Sequence, residues 1–73
     1  MTLTVQQAET LLWAANNWQR IAEGLLTTSA MRADPAHVVE RRVGSFNRAT
    51  TAVTIATALL AQAREEQKDA PHE

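Results

Sequence analysis

The chain has no cysteine, which removes disulfides and thiolate metal sites together as ways to hold a small fold. Histidine is nearly as scarce: His37 and His72 are the only two, and His72 falls within the last three residues. A structural metal site is therefore not expected. The two glycines, Gly24 and Gly44, stand apart inside helical patterns and make no phosphate-cradling loop. Neither sign of charge dominates. The formal net charge is −1, so no global field draws the chain to nucleic acid or to an anionic membrane.

Long apolar runs are missing too. The longest uncharged stretch runs from Ala49 to Ala63, between Arg48 and Arg64. It falls short of the roughly 20 residues that span a bilayer, and Thr50, Thr51, Thr54 and Thr57 make it polar. The first residues hold no basic region followed by an apolar run, so no secretory signal is expected. Together with the absent cysteines, this leads us to expect a soluble, cytoplasmic protein without a membrane partner.

Catalytic parts are equally hard to find. Glu65 and Glu66 are adjacent, so on a helix they diverge by about 100° and cannot share a substrate. His37 lies near Asp34 and Glu40, but no nucleophile accompanies them. Neither an enzymatic role nor a cofactor is expected.

What the chain does have is alanine at a fixed interval. Ala8, Ala15 and Ala22 are seven residues apart, and so are Ala49, Ala56 and Ala63. A strict heptad of the smallest side chain marks helix seams whose backbones approach closely. The expected fold is all-α, an antiparallel two-helix hairpin forming a single domain. The expected limits are a helix over about 4–30, a corner over about 31–34, a helix over about 35–68 and a frayed tail over 69–73.

Local signals support those limits. Thr4 followed three residues later by Gln7 fits a capping box, with Leu3 placed as a staple against Ala8. Ala8, Leu11, Leu12, Ala15, Trp18, Ile21, Ala22, Leu25 and Leu26 share one broad helical face. Gly24 and then Thr27, Thr28 and Ser29 weaken it, which places the end near 27–31. Asp34 is read as the next N-cap and Pro35 as the first helical residue. Val39, Val43, Phe46, Ala49, Val53, Ala56, Leu60 and Ala63 then form a second stripe. The β-branched run from Thr50 to Thr57 favours strand locally, and the longer helical period outweighs it.

With a corner near Arg32, antiparallel pairing sets Ala8 beside Ala56, Ala15 beside Ala49 and Ala22 near Arg42. The alternative is that some alanines face a second chain. A core this small supplies only about 3–5 kcal/mol without reinforcement, and oligomerisation is the reinforcement left open. We therefore expect a homodimer of hairpins closing into a four-helix bundle.

Residues outside the seam are the candidates for function. Trp18 falls inside the apolar arc and reads as core. Trp13 falls outside it among Glu9, Asn16, Asn17 and Arg20. It serves either a dimer contact or, with Asn17 and Arg20, the anchoring of another protein. Arg41, Asn47 and Arg48 are the candidate nucleic-acid contacts, against which stands an ordinary solvated, ion-paired helix surface. Ile55 lies beyond the arc and gains interest only by joining Trp13 or Val38 in a patch. The favoured reading is a small protein-binding module that dimerises and modulates or inhibits a larger regulatory protein. The rivals are a dimeric nucleic-acid-binding regulator and a structural adaptor.

Overall fold

The computed structural model describes residues 2–69, so His72 and most of the expected frayed tail lie outside the described residues. Two helices, α1 (Val5–Arg32) and α2 (Ala36–Asp69), pack antiparallel along their length. The rod they form measures 61 × 14 × 13 Å. Among the described residues there is no strand.

The start of α1 is built as a reciprocal cap. The Gln7 N–H donates to Thr4 Oγ1 at 3.1 Å, and the Thr4 N–H donates to Gln7 Oε1 at 3.0 Å. Two backbone donors with no partner inside the helix are thereby satisfied. Leu3, just outside the cap, packs with Leu12 on a buried cluster of Ala8, Leu60 and Ala63.

At its other end α1 runs past the expected 27–31 window to Arg32. Ala33 takes the left-handed conformation, φ 55 and ψ 46. Its N–H reaches Ala30 O at 3.2 Å, and the Asp34 N–H reaches Ser29 O at 3.0 Å. These two bonds define a Schellman stop. Asp34 therefore closes the first helix instead of capping the second. The carbonyl of Pro35 accepts from Val38 and Val39 at 2.9 and 3.2 Å, and α2 begins at Ala36. The corner is 33–35.

The position of the corner decides the register. Ala8 lies with Ala63, Ala15 lies with Ala56, and Gln19 Nε2 donates to Thr50 Oγ1 at 3.1 Å. The same offset sets Ala22 against Ala49 and Ser29 against Arg42. The expected pairs, Ala8 with Ala56 and Ala15 with Ala49, are thus wrong by one heptad. Moving an antiparallel turn by half a heptad slides the partner strand of the seam by a whole one. The slide brings all three alanine pairs into step, where a corner at Arg32 matches only two.

The seam itself contains little but alanine. Ala8, Ala15, Ala22 and Ser29 of α1 and Ala49, Ala56 and Ala63 of α2 are buried, joined among the described residues only by Leu60. Ser29 continues the α1 repeat as a fourth small residue. Arg42 continues the α2 repeat upstream, half-buried, with its Nε buried and without a hydrogen-bond partner.

The run from Thr50 to Thr57 is helical, and its hydroxyls are all engaged. Thr51, Thr54 and Thr57 donate to the carbonyls of Asn47, Thr50 and Val53 at 3.0, 3.1 and 2.8 Å, and Thr50 accepts from Gln19. Back-bonding of this kind lets threonine sit inside a helix that tertiary packing has imposed.

Candidate functional site

The heptad makes the two flanks of the hairpin unequal. Four residues beyond five of the six seam alanines stand Leu12, Gln19 and Leu26 on α1 and Val53 and Leu60 on α2, all at least half-buried. The polar bridges across the helices lie beside this flank: the Gln19–Thr50 hydrogen bond and an exposed Arg64–Glu9 ion pair at 3.7 Å. This side is closed by its own side chains.

The opposite flank is open. Three residues beyond the seam alanines come Leu11, Trp18 and Leu25 on α1 and Ala52 and Leu59 on α2. Leu11, Ala14 and Trp18 face Ala52, Ile55 and Leu59 across a groove of about 350 Å³ floored by Ala15 and Ala56. Ile21 and Leu25 extend the exposed apolar surface toward the corner. Trp18 is 43% exposed, which corrects its expected place in the core. Alanines at the seam bring the axes so near that no space remains between them for an indole. The large side chains next to the seam are displaced to its side. Ile55 joins this groove and neither Trp13 nor Val38.

Trp13 is 69% exposed and lies on the side of α1 that faces away from α2. Asn17 and Arg20, one and two turns further, continue the same stripe, Asn17 half-buried and Arg20 exposed. The three expected partner-binding residues therefore share one surface. The groove is on another face of the same helix, so the two tryptophans do not belong to one site.

Arg41, Asn47 and Arg48 are all exposed on α2. Arg48 is turned back along its own helix: its Nε donates to Gly44 O at 3.3 Å. Its guanidinium lies 3.6 Å from where a Cβ on Gly44 would stand, so the neighbour that comes close to Gly44 is Arg48 and not another helix. His37, Glu65 and Glu66 are exposed. Among the described residues no three His, Asp or Glu side chains gather as a metal site, and no helix is long and apolar enough to cross a membrane.

Trp18, Leu59 and Ile55 are groove residues that helical angle alone leaves in the core or sets aside. For Trp18 and Leu59 the signal is nonetheless in the sequence. Counting three residues on from each seam alanine picks out Leu11, Trp18, Leu25 and Leu59, a stripe beside the contact line rather than on it. Comparison with protein-family models, with curated proteins and with solved structures returns no match for this chain.

Proposed function

We propose that the chain is a non-catalytic protein-binding module that works as a dimer of hairpins and modulates or inhibits a larger regulatory protein. One observation carries the reading. A single helix exposes two tryptophans on two different faces, Trp18 in the apolar groove and Trp13 on the outward stripe. Exposed contiguous apolar surface of this kind marks protein contacts, and tryptophan is the side chain most enriched at their energetic centres. The groove serves the second hairpin. The Trp13, Asn17 and Arg20 stripe is left for the target.

The test is a binding measurement with two variants that separate the faces. Trp13→Ala is expected to keep the helicity and the dimer and to lose the target, first in affinity capture from the native host and then by calorimetry with the purified target. Trp18→Ala is expected to weaken the dimer. Target binding that survives Trp13→Ala, in a protein that still folds, overturns the reading. Association that falls steeply with salt and is lost on Arg41→Ala and Arg48→Ala would instead establish a nucleic-acid partner.

A further inference from the structure

Two symmetric patterns on the open face share one midpoint, and from them we infer that the groove is filled by a second copy of this chain, related by a two-fold axis perpendicular to the rod at Trp18 and Ala52. The corners of the two hairpins then lie at opposite ends of a four-helix bundle. This inference rests on the dimer proposed above and adds the face and the orientation.

Surface area argues first for the second copy. A compact monomer of this mass, 8.0 kDa, exposes about 4,450 Å². This chain exposes 5632 Å². The surplus, roughly 1,200 Å² per chain, leaves room for the roughly 800 Å² per partner that a stable interface buries.

The orientation comes from the residues. On α1 the groove-side large residues are Leu11, Trp18 and Leu25, spaced evenly about Trp18. A perpendicular two-fold axis there sets Leu11 against the partner's Leu25 and Trp18 against the partner's Trp18. It also sets the small Ala14 against the partner's Ile21. On α2 the charges along the same side are basic toward the corner, Arg41 and Arg48, and acidic toward the open end, Glu66. The midpoint of Arg41 and Glu66 falls between Val53 and Thr54, within two residues of Ala52, which faces Trp18 across the groove. The apolar and the charge patterns are therefore centred at one height on different helices. The same axis brings Arg41 to the partner's Glu66 at both ends. A two-fold axis along the rod would place the corners together and leave both Glu66 carboxylates without an arginine.

The chain has no cysteine, so Met31→Cys, at a corner position 82% exposed, carries a single spin label without disturbing the groove. Thirteen residues separate Trp18 from Met31, so opposed corners put the two labels about 40 Å apart. Pulsed electron resonance on the labelled full chain is expected to give that distance. A distance within about 20 Å means corners at one end and overturns the orientation while the dimer stands. No dipolar coupling, with a monomer mass by light scattering, overturns the dimer itself. Arg41→Glu is expected to weaken dimerisation about tenfold, and Arg41→Glu with Glu66→Arg to restore it. Failure of the double variant to restore it overturns the pairing.

Discussion

Ala8 and Ala63 meet in a buried cluster at the open end of the hairpin, fifty-five residues apart in sequence and carrying one carbon each beyond the backbone. The other seam alanines repeat this contact toward the corner, and it governs what the fold tolerates.

Enlarging a seam residue should force the axes apart. Ala49 is fully buried, and Ala49→Leu is expected to destabilise by about 1–3 kcal/mol. Urea denaturation followed by circular dichroism measures it; an unchanged midpoint would remove the close-packing account of the seam.

Gly24 has the opposite expectation. It sits in mid-helix with nothing within 4 Å of where its Cβ would be. Gly24→Ala should stabilise by about 1 kcal/mol, raising the melting temperature by roughly 4–8 °C. A thermal melt at fixed protein concentration reads the shift.

At the corner, Ala33 holds a backbone conformation that costs an L-residue about 1–2 kcal/mol. Glycine adopts it freely and loses about 0.5–1 kcal/mol of that gain to its more disordered unfolded state. The net expectation for Ala33→Gly is a stabilisation of up to about 1.5 kcal/mol, visible in the same melts. A loss of stability would mean that the Schellman bonds to Ser29 and Ala30 are not what stops α1.

Arg42 carries the buried, unpartnered Nε at the seam. Arg42→Met keeps a long stem and removes the unmatched donor, whose burial costs about 1–3 kcal/mol. The methionine variant is expected to be at least as stable as the parent. Arg42→Ala, which also gives up the stem, should fall below it, and equal stability of the two variants would deny the stem any packing role.

The hairpin is legible in the sequence for physical reasons that can be named. The Thr4–Gln7 cap uses only neighbours three residues apart, and the alanine heptads report a contact that recurs along both helices. The register is not legible. A heptad seam matches itself in part at neighbouring seven-residue slips, so a turn placed at Arg32 selects two alanine pairs where the true turn gives three, and α1 continues through Thr27–Ser29 because Ser29 is small enough for the seam. Trp18 escapes for a related reason. A face drawn by angle has no depth, and a seam of alanines has too little of it for an indole. The outward stripe of Trp13, Asn17 and Arg20 is visible because helical angle alone decides it.

An alanine seam has no rotamers to freeze. Bringing α1 and α2 together costs backbone entropy and almost none from the side chains in the contact. Leu60 apart, the exposed Leu11, Trp18, Ile21, Leu25 and Ile55 stay outside it, with their torsional freedom largely intact. The hairpin therefore forms with little side-chain ordering, and that loss is deferred to whatever later covers its open flank.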